Sequence, residues 1–173
     1  TLDNETEAAK IAETLDRLNR ERKTIETKML EEAMAEADRL VDEAPEMPIV
    51  LVGSDQWHKG VVGLVASRLT ERFHRPSCVI AWGGDGGVPK DQGTGSLRSV
   101  AGVDIGEAVR AAVGKGLLEK GGGHAMAAGL TLRKDKMAAL QAFFGTSLAS
   151  AATTARAAAG LDIDGALTPA GVN

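Results

Sequence analysis

Ser96 and Arg98 stand two residues apart in Gly93 to Val100, a stretch that reads as a strand. Period-two alternation puts both side chains on one face. A hydroxyl beside a guanidinium fork makes a phosphate clamp, because arginine binds such oxygens bidentately. A solvated strand face is the competing reading. The run Gly121-Gly122-Gly123-His124-Ala125-Met126-Ala127-Ala128-Gly129-Leu130-Thr131-Leu132 is the second candidate. Its three consecutive glycines permit close approach to the backbone, and an imidazole that donates or accepts near neutral pH follows at once. Read as a turn leading into a strand at Gly129–Leu132, the run offers bare amides and an imidazole to an anionic oxygen. The competing reading is a tight turn whose histidine is a structural hydrogen-bonder. Trp57 and His58 form the third candidate, in a loop that follows the apolar run Ile49–Val52. In α/β sheets ligands gather where loops leave the carboxyl ends of strands. The alternative has Trp57 plugging the sheet end and His58 capping a helix.

Composition narrows the chemistry these groups serve. His58, His74 and His124 have no mutual spacing that suggests a metal site, and Cys78 is the single cysteine. Neither a thiolate zinc cluster nor a disulfide framework is available, and a reducing, cytoplasmic setting is expected. Aromatic residues make up 3% of the chain and there is no Tyr, so extended base stacking is excluded. No apolar run is long enough to span a bilayer, so no membrane partner is expected. The net charge of −4 is unevenly placed: residues 1–44 carry 13 acidic and 7 basic side chains, and the remainder 11 and 13. The globular part is therefore mildly basic and compatible with an anionic partner. The sequence opens without Met in a polar helical stretch, which reads as a piece of a longer protein.

The elements that must position these groups follow from periodicity. Residues 1–44 read as one long helix, capped by Asn4 with Glu7 three residues on. Ile11, Leu15, Leu18, Ile25 and Met29 recur at spacings of three and four, broken at Arg22, and Ala33, Ala37 and Leu40 continue the stripe. Ile49–Val52, a helix over Val61–Phe73 and a strand at Cys78–Trp82 predict a β-α-β unit with parallel strands. Gly83 to Gly87 read as a loop. Asp104 and Glu107 predict a helix N-terminus, Asp135 is expected to cap a last helix, and Leu161–Gly165 resembles a further strand and turn.

Three stretches then match one family in order: Gln56-Trp57-His58-Lys59-Gly60-Val61-Val62-Gly63, Gly95-Ser96-Leu97-Arg98-Ser99 and Gly121 to Gly129. Together they resemble the DHHA1 domain of RecJ-type single-stranded-DNA-specific exonucleases, within the DHH phosphoesterase superfamily. Leu18-Asn19-Arg20-Glu21-Arg22 resembles the helix joining the catalytic DHH domain to DHHA1, and Leu161-Asp162-Ile163-Asp164 the start of a following OB-type domain. The resemblance implies an α/β fold, a mixed β-sheet flanked by helices and preceded by a long connecting α-helix. It divides the chain into a connector at 1–45, a DHHA1 domain at 46–150, and a linker with the start of the OB-type domain at 151–173.

The same resemblance implies a parent enzyme that digests single-stranded DNA from 5′ to 3′ in repair and recombination. Its Mn²⁺ or Mg²⁺ is implied to sit in the DHH domain, whose Asp-His-His motif is not in this sequence. This chain alone is therefore expected to bind no metal and to be inactive. Ser96 and Arg98 are implied to grip a 5′ phosphate. His124, in a supporting catalytic role, and the amides of Gly121, Gly122 and Gly123 are implied to face the cleft, and Trp57 and His58 to line or support it. Implied partners are single-stranded DNA, the parent's own DHH domain and the OB-type domain. Without the DHH domain, the 1–44 helix is expected to self-associate through its stripe. Leu97 departs from the family, which commonly has glycine there. Two alternatives stand: an oligonucleotide or cyclic-dinucleotide phosphodiesterase of the same superfamily, and a non-catalytic RNA-binding module like the domain appended to alanyl-tRNA synthetases.

Overall fold

A computed structural model of the chain describes residues 5–83 and 89–158. The expected Asn4 cap, most of the glycine loop at 83–87 and the strand at 161–165 lie outside the described residues. Helix α1 (Glu5–Glu43) leads into β1 (Val50–Ser54), α2 (Val62–Phe73) and β2 (Ser77–Trp82). Then come β3 (Gln92–Arg98), α3 (Ile105–Gly114), the hairpin β4 (Lys120–His124) and β5 (Ala127–Arg133), and helices α4 (Met137–Ser147) and α5 (Ala149–Ala158).

The five strands form one mixed sheet in the order β1-β2-β3-β5-β4. The expected parallel pair is present, with Val50 opposite Ser77 and Val52 opposite Val79. All other pairings are antiparallel. Each face of the sheet has its own apolar cluster. On one side Cys78, Ile80, Leu97, Leu130 and Leu132 pack with Ile105, Val109, Leu140 and Phe144 from α3 and α4. On the other, Val50, Val52, Val79 and Ala81 meet Val65 and Leu69 of α2 and Met29, Ala33 and Ala37 of α1. The small residues Ala33 and Ala37 are fully buried, which is why the stripe shrinks there: the helix backbone comes close to its neighbours. Upstream the same stripe is uncovered, with Ile11, Leu15, Leu18 and Ile25 each more than 40% exposed.

Polar side chains fix the junctions. Arg75 is buried and donates to the carbonyls of Phe73, Pro45 and Met47, tying the end of α1 to the entry of β2. Burial lowers its pKa first, and the nearby Arg156 adds to the effect, while Glu46 opposes it. Asp104 caps α3 as expected, its Oδ1 accepting from the Glu107 amide at 2.9 Å. Asp135 does not cap the last helix: it lies in a 3-10 turn at Lys134–Lys136 and meets Arg133 Nε at 3.4 Å instead. Among the described residues no helix is long and apolar enough to cross a membrane.

Candidate phosphate-binding site

Among the described residues, the sheet face on the α1 and α2 side is only half covered. These helices lie over β1 and β2, and α2 reaches β3. The same face continues onto β5 and β4, where a Cβ built on Gly122 meets nothing within 4 Å and one on Gly129 only the Gly95 carbonyl, at 3.9 Å. Alternation and register assign its side chains. Across the three strands the rows are Arg98, Ala127, His124; then Ser96, Gly129, Gly122; then Thr94, Thr131, Lys120. A shallow groove of about 280 Å³ lies over part of it, lined by Thr94, Gly129, Thr131 and Lys120 among others. Gln92 and Arg133 at the far end are taken by the carboxylates of Glu119 and of Asp91 and Asp135, respectively. This leaves Arg98, Lys120 and the His124 imidazole facing an anion, with no carboxylate at a strand position among them.

Ser96 and Arg98 point to this face together. Arg98 Nη1 donates to Ser96 Oγ at 2.8 Å and to the Leu97 carbonyl at 2.8 Å, so the guanidinium folds back along its own strand. Among the described residues it meets no carboxylate. Leu97 is fully buried against α3 and α4, on the opposite face. A leucine where the family commonly has glycine therefore adds to the core and leaves the clamp's face unchanged.

The glycine run is not a turn, as the sequence suggested. Gly121, Gly122 and Gly123 lie inside the edge strand β4, and the turn is Ala125–Met126. Their reasons for being glycine differ. Gly121 faces the core, where a Cβ would fall 2.6 Å from Val109 Cγ1. Gly123 has φ +158° and a would-be Cβ only 2.3 Å from the Ala127 carbonyl, so backbone geometry requires it. Gly122 alone faces open space. The end of the hairpin is pinned from both sides. Met126 O accepts from the Ser99 amide at 3.0 Å, Ala125 O from the Ile105 amide at 3.2 Å, and Gly123 O from Arg110 Nη1 at 3.1 Å. These bonds hold exposed His124 at the end of the sheet where β3 delivers Arg98.

Trp57 and His58 are not brought to this row. Trp57 is 7% exposed and belongs to the α1/α2 core, where its Nε1 donates to Glu32 Oε2 at 2.9 Å. It is a strut between the β1–α2 loop and α1, not a phosphate ligand in this arrangement. His58 is exposed, and its Nδ1 accepts from the Gly60 amide at 3.0 Å. It lies on an apolar groove with Leu18, Ile25 and Val61. Lys120 was missed from sequence, since only the hairpin register brings it beside Thr94 and Thr131.

No group of three or more His, Cys, Asp or Glu side chains able to hold a metal ion occurs among the described residues. Cys78 is fully buried, and burial pushes its thiol pKa far up, leaving no reactive thiolate. The site as built offers donors and cations to an anion, without a metal-binding set.

Comparison with known proteins gives this site its context. The DHHA1 domain model matches residues 46–150. The single-stranded-DNA-specific exonuclease RecJ of Escherichia coli is 42% identical over 146 residues, covering 83% of this chain and 24% of that protein. RecJ of Bacillus subtilis is 35% identical over 129 residues, covering 75% of this chain and 15% of the relative. Among solved structures, exonuclease RecJ bound to manganese superposes with a TM-score of 0.70 and 30% identity over 88% of this chain and 35% of that one. RecJ of Thermus thermophilus in complex with Mg²⁺ gives 0.65 and 31%, over 88% of this chain and 21% of that one. The chain thus spans a quarter or less of the length of these RecJ sequence relatives. It belongs to the DHHA1 domain family and is homologous to the DHHA1 part of RecJ single-stranded-DNA-specific exonucleases.

Proposed function

We propose that this chain is the substrate-holding part of a cytoplasmic, metal-dependent exonuclease that degrades single-stranded DNA from the 5′ end in repair and recombination. The face of β3, β5 and β4, whose strand positions bring Ser96, Arg98, His124 and Lys120 together without a carboxylate among them, carries this reading. Arg98 and Ser96 grip the 5′ phosphate, Gly122 and Gly129 leave the backbone bare for the strand to lie against, and His124 stands at the row's end. His124 supports the reaction as a hydrogen-bond donor or a cation toward the scissile phosphate. The RecJ structures described above hold Mn²⁺ or Mg²⁺. The described residues here do not fit such an ion, so the metals belong to a DHH domain outside this chain, which packs over the open face. The exposed stripe of α1 docks on that domain, and in its absence on a second copy of the helix. An OB-type domain follows.

The division of labour is testable with labelled single-stranded DNA and Mn²⁺. The full-length protein is expected to shorten it, and residues 1–173 alone to leave it intact. Metal-dependent cleavage by rigorously purified 1–173 overturns the reading.

A further inference from the structure

The motif that ends in Gly63 contributes through neither Trp57 nor His58, yet its last residue touches the phosphate clamp. Gly63 is the second residue of α2, a helix whose N-cap, Val61, supplies no side-chain bond, while its carbonyl accepts from the Leu64 amide at 3.0 Å. A Cβ at Gly63 would lie 2.9 Å from Arg98 Nη2 and 3.3 Å from Ser96 Oγ. The space a side chain would occupy is filled by the guanidinium. Glycine is a poor helix residue, and the nearest atoms to that Cβ all belong to Arg98 and Ser96.

The electrostatics point the same way. The first turn of a helix is its positive end, where a cation is disfavoured and an anion welcome. Arg98 is a half-buried cation placed against that end, with no carboxylate partner among the described residues. Its Nη1 donates to Ser96 Oγ and the Leu97 carbonyl, and its Nη2 lies nearest the place of a Cβ on Gly63. An incoming phosphate eases this placement, since it takes hydrogen bonds from the guanidinium, the Ser96 hydroxyl and the Val62 and Gly63 amides together.

We propose that Gly63 is a positioning residue for 5′-phosphate recognition: its missing side chain lets the Arg98 guanidinium sit against the first turn of α2, so that helix and arginine share one phosphate. The proposal rests on the reading of Ser96 and Arg98 as the phosphate grip. It separates site from fold, because the atoms a methyl group would displace are the tip of a flexible side chain. Gly63→Ala therefore folds, with Arg98 swung aside.

The experiment uses the full-length protein and measures digestion rates of 5′-phosphorylated and 5′-hydroxyl single-stranded DNA, with a melting curve for each variant. Gly63→Ala is expected to keep the melting temperature and lower the phosphate-to-hydroxyl rate ratio by about tenfold, the loss of one charge-assisted hydrogen bond. In an Arg98→Ala background it is expected to change the ratio no further. If Gly63→Ala fails to fold, Arg98→Lys tests the same geometry, keeping the charge but losing the fork, and is expected to lower the ratio as well. A parent ratio in Gly63→Ala or, failing that variant, in Arg98→Lys overturns the proposal, as does an equal loss with and without Arg98. A parent ratio in Arg98→Ala itself overturns instead the phosphate grip on which it rests.

Discussion

Arg98 and His124 are both opposite Ala127, one through β3 and the other through β4, so they stand in one row roughly 10 Å apart. Twenty-five intervening residues, including the whole of α3, are folded between them in sequence. In the proposed reading this row serves one substrate rather than two separate sites. In the full-length protein, His124→Ala is expected to lower turnover by about 10²-fold or more, the range for a positioned acid–base or electrostatic group. Its melting temperature is expected to stay within about a degree of the parent, because the side chain is exposed. Steady-state kinetics and a thermal melt decide it. Unchanged turnover makes His124 a bystander.

Lys120 lies in the third row, beyond the bare glycines, where the proposed reading gives it a phosphate further along the DNA. Lys120→Ala in the full-length protein is expected to weaken single-stranded DNA binding about equally for all sequences. It should reduce the slope of log affinity against log salt by roughly 0.7, the single-strand value for one phosphate contact. Fluorescence anisotropy across a salt series measures this, and an unchanged slope removes Lys120 from the interface.

The adjacent glycines of β4 are expected to respond oppositely to a methyl group. Gly123→Ala meets the Ala127 carbonyl and a strained φ, and is expected to destabilise the chain by at least the 1–3 kcal/mol typical of such strain. Gly122→Ala has open space, and is expected to be neutral or stabilising by up to about 1 kcal/mol, as glycine is costly inside a strand. Its cost should appear in the full-length protein as weaker DNA binding, since the methyl group would stand where the proposed reading lays the DNA. Urea melts and binding assays on the two variants separate fold from function.

How much of this was legible in the sequence differs from element to element. That Ser96 and Arg98 share one face was, because alternation in a strand is a strictly local rule and both obey it. The β-α-β unit and the Asp104 cap were legible for similar reasons: each signal lies within a few residues of the structure it dictates. The glycine run misled because Gly121, Gly122 and Gly123 carry no strand propensity. They form a strand only because β5 pairs with them and α3 lacks room for side chains at Gly121, a tertiary fact. Trp57 was ambiguous for want of its partner, Glu32, which stands 25 residues upstream on α1. Asp135 has the composition of a cap, but Arg133 takes its carboxylate and the turn tightens to 3-10. Gly63 was visible as the end of a motif, but no reason for it appeared until Arg98 was seen to occupy its side-chain space.

The central claim is that the open face of β3, β5 and β4 grips the 5′ phosphate through Arg98, and one ratio tests it most directly. Full-length parent and Arg98→Ala proteins are given the same single-stranded DNA with a 5′ phosphate or a 5′ hydroxyl, under single-turnover conditions. Loss of a guanidinium that binds phosphate by charge-assisted hydrogen bonds predicts a fall of about 10- to 100-fold in the phosphate-to-hydroxyl rate ratio. Digestion of the 5′-hydroxyl strand should change far less. A ratio equal to the parent's, in a variant with an unchanged melting curve, would contradict the account and leave Ser96 and Arg98 as a solvated strand face.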